Sequence, residues 1–528
     1  ETPPDPMRKV YDCVIYGVTC AGIAAAVHAA RSGLEVILLE PSSRLGGVTA
    51  SGLGASDIGE PASLGGLAAE FYRRVDRYYR RADSWRFETR EEYVPKHPLN
   101  VDEKRDYHFF FEPRVALAIF KEMLAEETVE VRMRERLRRR GGISRDKGRI
   151  RQILLESGRV IEGRYFVDAT YEGDLMAAAG VSFLVGRESC ADFGEEFNGI
   201  RPIATAEFDV DPFVAPGDPS SGLLPGLRSG RPGPRGAGDD RLQAYNFRLC
   251  LTDVSENSIP IEKPLHYDPL NYELLVRHIN SKPHLRPGAS LFKLTPMPNR
   301  KTDSNNHGFF STDYVGQSHA WPEAEYAERE RLWEAHRNYT QGFFWFLGND
   351  RRAPEEIRRE VLRWGLAADE FEENDHWPPQ LYVREARRMR GEYTVDEHDC
   401  RGARRADDPI AYGSYAMDSH EVSRFVDEEG ILRIEGAFWL GIKPYPISYR
   451  AILPRMSECE NLLVPICLSA THAAYGSIRM EPVFMMLGQA AAVAVGIALK
   501  DNLPVQKISY PALSAVLERE GSVAPATI

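Results

Sequence analysis

The hydrophobic pattern changes period early in the chain. Residues 11–16 (YDCVIY) form an unbroken run of β-branched and aromatic side chains stopped by Gly17, which reads as a buried strand. Residues 21–32 (AGIAAAVHAARS) read as a helix of small residues, and Gly33 stands where a helix end favours positive φ. Residues 34–40 (LEVILLE) read as a second strand, completing a βαβ unit. Residues 60–110 alternate helical, Arg- and Tyr-rich stretches with loops, and 112–126 carry the i, i+3, i+4 spacing of an amphipathic helix. Strand-like segments run on to Val167. The Pro- and Gly-rich residues 212–240 predict a long loop, a candidate mobile cover over a site. Residues 320–395 read as helical, 431–439 as strand, and 481–499 as a mostly apolar helix with Pro482 in its first turn.

Composition narrows this picture. A chain of 528 residues exceeds the roughly 250–300 that one core can serve, so two domains are expected. Hydrophobic residues at 43% and charged residues at 27% fit a soluble globular chain and exclude a disordered, collagen-like or membrane-spanning one. The longest apolar stretch, near residues 490–499, reads as shorter than the roughly 20 residues a membrane span needs. With 66 basic and 78 acidic side chains the net charge is −12, which argues against nucleic-acid or anionic-lipid partners. The basic run 132–151 reads as a solvated strand–turn–strand edge, with a polyanion contact as the alternative. Seven cysteines without a CxxC pair point to neither a zinc knuckle nor a dithiol centre, and leave a Cys459–Cys467 disulfide open. The first residue is Glu1, not Met, as in a mature product after signal-peptide removal or a trimmed chain. The compartment stays open, with export favoured over the cytoplasm.

The chemistry concentrates near the N-terminus. Gly17-Val18-Thr19-Cys20-Ala21-Gly22 joins strand to helix as G-x-G-x-x-G does, with Thr19 in place of the middle glycine. The first glycine makes the tight turn and the third lets the helix pack close, so that the helix start offers its N–H groups to a pyrophosphate. Glu40 ends the second strand, where an acid binds ribose hydroxyls. Pro41 follows it, and then Arg44-Leu45-Gly46-Gly47-Val48-Thr49. This second glycine pair lets the backbone pass under the rest of an extended FAD, which an NAD-only domain does not require. Cys20 and Ala21 open the helix beside the same cofactor.

These 50 or so residues resemble the N-terminus of the FAD-dependent oxidoreductases with the glutathione-reductase-type fold. More narrowly, they resemble the bacterial branch often labelled "xanthan lyase", where Thr at the position of Thr19 is usual. The resemblance continues at residues 111–114 (FEPR), 166–175 (FVDATYEGDL) and 469–489 (SATHAAYGSIRMEPVFMMLGQ), and is loose over about 190–380. It implies that Ala169 and Thr170 lie along the FAD. It also implies that the chain returns to the cofactor at Met480, Pro482, Val483 and Phe484. A helix starting near Pro482 and aimed at the flavin pyrimidine edge would stabilise negative charge there.

For the substrate, His472 and Arg479 are the polar exceptions in an apolar segment: one to take a proton, the other to hold a carboxylate or oxyanion. Both also fit a structural role, with Arg479 paired to Glu481. Tyr445, Tyr449 and Arg450 are candidates for the same pocket. Arg384, Arg387, Arg388 and Arg390 share a stretch read as helical, where two guanidinium groups would reach a site. Asn305, Asn306 and His307 read as a turn. No H-E-x-x-H, G-x-S-x-G or EF-hand pattern occurs, and no metal site is expected. Residues 190–450 hold no second dinucleotide fingerprint, so electrons come from the substrate or a protein partner.

The expected fold is α/β. A discontinuous Rossmann-like FAD-binding domain (1–190 and 436–528) carries an inserted α+β substrate domain (191–435). The expected function is hydride transfer between a polar small molecule, such as a carbohydrate or another hydroxyl or amine compound, and N5 of FAD. The electron acceptor (oxygen, quinone or protein) and the oligomeric state stay open. Two alternatives stand beside it: a flavin-dependent C=C reductase of a carboxylate, and a non-catalytic carbohydrate-associated nucleotide-binding protein.

Overall fold

The computed structural model describes residues 9–203, 210–282 and 284–523; the segment Glu1–Pro6 lies outside the described residues. Strands β1 (Val10–Tyr16) and β2 (Val36–Glu40) flank helix α1 (Cys20–Arg31), as the pattern predicts. They lie side by side and parallel in a seven-stranded sheet, six strands of which, with β3 (Glu130–Met133), β4 (Ile143–Asp146), β5 (Arg149–Leu154) and β6 (Val160–Asp168), run in the order β3-β2-β1-β6-β5-β4, the seventh pairing β6 off this path. β6 runs parallel to β1, so that Ile15 sits between Leu38 and Val167. The unbroken apolar runs of β1 and β2 follow from this position, because a central parallel strand is covered on both faces. The basic run 132–151 is split between β3 at one edge and the antiparallel β4–β5 hairpin at the other.

Two further sheets lie in the middle of the chain. A four-stranded sheet joins β7 (Pro202–Ile203), β8 (Leu227–Ser229), β14 (Ser423–Val426) and β15 (Leu432–Glu435) in the order β7-β15-β14-β8. A five-stranded antiparallel sheet joins β9 (Leu249–Thr252), β10 (Ser258–Ile259), β11 (Phe292–Met297), β12 (Lys301–Asn306) and β13 (Gly365–Ala367). Near the end, β16 (Leu462–Leu463) returns to pair in parallel with Phe166 and Val167 of β6. The fold is thus mixed α/β.

Helix α2 is Pro113–Glu126, α3 is Tyr326–Asn349, α4 is His472–Ile478 and α5 is Glu481–Asp501. α5 packs on α1 so closely that a Cβ on Gly488 would stand 2.2 Å from the Ala21 carbonyl oxygen. This corrects the reading of the apolar stretch. α5 has 21 residues and is long and apolar enough to cross a membrane, yet 83% of its apolar window is buried. A helix apolar on all sides is equally a core helix.

Other expectations change as well. Residues 384–390 are not helical; only Arg388–Met389 form a short strand, paired with Phe183–Leu184. The arginines there reach carboxylates in different directions, which an extended backbone permits and one helix face does not. Asn305 and Asn306 are not a turn but the end of β12, opposite Lys293 and Phe292; the chain turns just after, at Gly308 with φ +76°. The strand read over 431–439 is two strands, β15 and Phe438–Leu440, broken at Gly436 where φ is +98°. All seven cysteines are free, so Cys459 and Cys467 are not joined. Residues 212–240 form a loop tied down by β8.

Candidate active site

At the C-terminal ends of β1, β2 and β6 lies a cavity of about 1200 Å³. Gly17 forms its floor with φ +107°, and a Cβ there would stand 2.6 Å from the Ala169 carbonyl carbon. A side chain at Gly22 would strike the Gly17 carbonyl oxygen at 1.9 Å. Thr19 needs no such freedom: its φ of −74° suits any residue. Its hydroxyl accepts from Gly22 N at 3.3 Å and donates to Ala169 O at 2.7 Å, which caps α1 and ties the turn to β6. The remaining first-turn amides of α1 have no carbonyl four residues back to meet them.

Glu40 lines the same cavity. Its carboxylate accepts from Val18 N at 2.7 Å and Ser42 N at 2.9 Å. Burial pushes this carboxyl up, against the pull of those hydrogen bonds. Pro41, Arg44, Gly47 and Thr170 line the cavity as well. Gly46 donates its N–H to Val18 O at 2.6 Å, and Gly47 sits so tightly under Tyr171 that a Cβ would meet the phenol oxygen at 2.3 Å. Cys20, Ala21, Val48, Thr49 and Ala169 are buried without lining the cavity.

The first turn of α5 joins this group from behind. Thr49 donates to Glu481 at 2.6 Å, Tyr171 donates to the same carboxylate at 3.0 Å, and Cys20 Sγ lies 3.4 Å from the Glu481 carbonyl oxygen. Burial raises the Glu481 carboxyl. Met480, Pro482, Val483 and Phe484 are buried here, next to the N-terminal motif, and do not line the cavity.

The opposite wall comes from the middle of the chain. Trp321, Tyr326, Arg329 and Trp333 face the β-strand ends across the cavity. Arg329 clamps Asp174 with contacts of 2.6 and 2.9 Å, and Arg387 adds a third at 2.9 Å. Burial alone would raise the Asp174 carboxyl; Arg329, Arg387 and Arg139 hold it below the usual range. Tyr326 donates to Leu137 O at 2.8 Å, which fastens the start of α3 to the sheet region. Asp174 and Glu172 both lie in the motif FVDATYEGDL, and their partners Arg329 and Trp321 stand about 150 residues further along the chain.

Behind the wall at Leu381 lies a buried polar network. Arg479 donates to Asp418 at 2.9 Å and to Tyr382 Oη at 3.1 Å. Asp418, not Glu481, is its partner: Glu481 turns the other way, onto Thr49 and Tyr171. Arg384 pairs with Asp313 at 2.9 Å. His420 bridges the two aspartates, 2.6 Å from Asp313 and 3.6 Å from Asp418. Burial acts against the charge of Asp418, and His420, Arg479 and Arg384 overcome it, leaving that carboxyl at about 2. Arg248, paired with Asp303 at 2.8 Å, completes a ring of three guanidinium groups around Tyr382. Arg384 Nε and Nη2 and Arg479 Nε are buried without a hydrogen-bond partner. Each unmet buried donor of this kind costs about 1–3 kcal/mol.

The remaining candidates separate. His472 caps no cavity wall: its Nδ1 lies 2.8 Å from Glu385, its backbone N–H donates to Glu188, and its Nε2 is buried without a partner. Burial pushes the Glu385 carboxyl up, and His472, Arg388 and Gln243 together bring it down to about 2. Tyr445 is a core residue whose hydroxyl donates to Ser477, and Tyr449 likewise donates to Val505 O. Arg450 is not in the site at all. Its side chain is 43% exposed and spans Asp407 and Asp408, because the short helical turn at Tyr449–Ile452 directs it outward. No residue of the loop 212–240 lines the cavity.

Against known proteins, the family model for FAD dependent oxidoreductases matches residues 12–517. The chain belongs to this FAD-dependent oxidoreductase family. It is accordingly a flavoprotein enzyme whose cofactor is FAD. The residues present fit that cofactor: the glycine cradle at 17 and 47 admits no side chain, the α1 amides suit a pyrophosphate, and Glu40 suits ribose hydroxyls. No curated protein matches the chain. Among solved structures, a flavin monooxygenase from Stenotrophomonas maltophilia is 16% identical over 31% of this chain and 38% of its own, with a TM-score of 0.20. An L-amino acid deaminase from Proteus vulgaris is 15% identical over 39% of this chain and 56% of its own, with a TM-score of 0.24. A probable FAD-dependent monooxygenase from Pseudomonas aeruginosa is 12% identical over 98% of this chain and 93% of its own, with a TM-score of 0.34. The matches thus span less than two thirds of the Stenotrophomonas and Proteus proteins. Likenesses this distant say nothing of the substrate.

Proposed function

We propose that this flavoenzyme transfers a hydride between a polar small molecule and N5 of FAD. The observation that carries the reading is the single cavity bounded by Gly17, Glu40 and Gly47, with the Arg479–Tyr382 network behind its wall. In this reading residues 1–190 and 436–528 form a Rossmann-like FAD domain of the glutathione-reductase type, and 191–435 form the substrate domain. The parallel order β3-β2-β1-β6, with β16 returning to β6, supports that division. So does the resemblance to the branch labelled "xanthan lyase", although no motif here serves lyase chemistry.

FAD, when bound, supplies the hydride chemistry. Gly17, Thr19, Cys20, Ala21 and Gly22 hold its pyrophosphate on α1, and Glu40 and Pro41 hold the adenosine ribose. Arg44, Gly46, Gly47, Val48, Thr49, Ala169 and Thr170 follow its length. Met480, Pro482, Val483 and Phe484 place the start of α5 toward the flavin. His472, held by Glu385 at 2.8 Å, takes the substrate proton on its unpartnered Nε2 in this reading, although that atom is buried and does not line the cavity. Arg479 holds the substrate oxygen. Oxygen, a quinone or a protein takes the electrons onward.

An anaerobic visible spectrum tests this. A yellow protein bleached by one class of sugar, polyol, amine or carboxylate supports it and names the class. A yellow protein bleached by dithionite alone reverses the direction and calls for unsaturated acids as oxidants. A protein that takes up no FAD overturns the reading. His472→Gln is expected to lower kcat about 10²-fold.

A further inference from the structure

Three acids line the cavity from the strand side: Glu40 at the end of β2, and Glu172 and Asp174 just past β6. Two of them are already satisfied. Glu40 accepts from Val18 N and Ser42 N, and Asp174 is clamped by Arg329 and Arg387. Glu172 differs. Among the described residues its side chain has one hydrogen-bond partner, the neutral Trp321 indole, whose Nε1 donates to Oε1 at 3.0 Å. Oε2 meets no protein donor and is not sealed off, so it opens on the cavity. Arg387 reaches only the Glu172 backbone carbonyl, at 3.0 Å. Burial, with the charge of Asp174 added, raises the Glu172 carboxyl against the pull of Arg329, Trp321 and Arg387.

Glu172 also stands close to the turn at the start of α1. Thr170, two residues earlier, packs on that turn so tightly that a Cβ on Gly17 would stand 2.8 Å from Thr170 N. The charge of Glu172 is felt at Glu40, whose carboxylate sits on Val18 N within the same turn. This is where the α1 amides suit the FAD pyrophosphate, a dianion. An ionised carboxylate with no cation of its own repels such a group, whereas a carboxylic acid offers it an O–H, and O–H donors make short, strong bonds to anionic oxygens. We propose that Glu172 is a further FAD-binding residue, held by Trp321, that donates an O–H to the anionic middle of the cofactor, so that FAD uptake draws a proton from solvent. This rests on the placement of FAD given above and adds a proton linkage to it.

The groups that face Glu172 are Asp174, Glu40, Arg329, Arg387, Tyr245 and Cys467. Burial keeps Tyr245 and Cys467 neutral, and the arginines keep Asp174 ionised. Only Glu40 competes, and with the opposite sign: it accepts ribose hydroxyls as the carboxylate, so its ionisation tightens FAD.

The test is equilibrium titration of the full-length protein with FAD at constant ionic strength from pH 5 to pH 9, read by flavin and tryptophan fluorescence. Kd is expected to rise with pH, by up to about tenfold per unit above the titration of Glu172, with proton uptake on binding in weak buffer. Glu172→Gln keeps an N–H donor at every pH. It is expected to bind FAD as the parent does at low pH and to lose the slope. Trp321→Phe removes the one donor to the carboxylate, which moves the rise in Kd to higher pH, and serves if the glutamine variant does not fold. An affinity that is flat or tightens with pH, or a Glu172→Gln variant that keeps the parent's slope or is weaker at low pH as well, overturns the proposal and leaves the FAD reading standing. A protein that takes up no FAD at any pH overturns both.

Discussion

The turn at Gly17–Gly22 and the cluster around Tyr382 are both buried beside one cavity, yet they are built from opposite materials. The turn is backbone: two glycines, a threonine cap and amides at a helix start, all within six residues of chain. The cluster is side chain: three arginines, three aspartates, a histidine and a tyrosine drawn from segments between residues 248 and 479. A backbone site fails when an atom is added, because there is no room for it. A charge network fails when an atom is removed, because its partner is left buried and unpaired.

This difference can be broken from the backbone side first. Gly17→Val places a Cβ 2.6 Å from the Ala169 carbonyl at a φ of +107°, and is expected to abolish flavin content, read as the ratio of visible to ultraviolet absorbance. From the charge side, Asp174→Asn leaves Arg329 and Arg387 sharing a neutral amide. It is expected to cost about 3–5 kcal/mol in a denaturant titration, more than a surface pair ever does.

A second charge cluster sharpens the point through pH. Lys301 is buried against Glu112, Asp369 and Glu370 at 2.8–2.9 Å. Burial first, and the Glu112 and Asp369 carboxylates, push Glu370 up to about 7 against the pull of Lys301. A carboxyl whose folded pKa lies above its unfolded value binds more protons in the native state. Stability from this group is therefore present at low pH and falls as pH rises from the ordinary glutamate range toward 7, by up to about 1.4 kcal/mol per pH unit. Glu370→Gln is expected to remove that slope, seen by comparing denaturant midpoints at pH 5 and pH 8.

Smaller effects mark the limits of each material. Glu40→Gln keeps the shape and loses the charge that faces the ribose, and is expected to weaken FAD about tenfold, or about 1.4 kcal/mol, by fluorescence titration. Arg450→Ala removes an exposed pair, and is expected to change stability by under about 1 kcal/mol and activity not at all. A large loss of activity there would return Arg450 to the site.

The same contrast explains what was legible beforehand. The β1–α1–β2 unit, the positive φ at Gly33 and the cavity positions of Gly17, Thr19, Glu40 and Gly47 could be read from neighbours a few residues apart. Arg384 stands out in the sequence by its charge but lies in extended chain rather than a helix, and Arg479 meets Asp418 rather than Glu481 two residues away. Asp313, His420 and Tyr382 are each ordinary in their own stretch of chain.

The sequence by itself determined the strand–turn–helix–strand that receives the cofactor, because strand, turn and cap are short-range matters of φ, N–H groups and side-chain size. It also determined that α5 would be an apolar helix, while its burial against α1 was decided by the tertiary structure. Only the tertiary structure decided which wall of the middle region covers the cavity, which carboxylate each arginine meets and which donors are left unspent. Coulombic and hydrogen-bond partners are chosen by distance in space, and pairs such as Arg329–Asp174 or Arg479–Asp418 stand 155 and 61 residues apart in the chain.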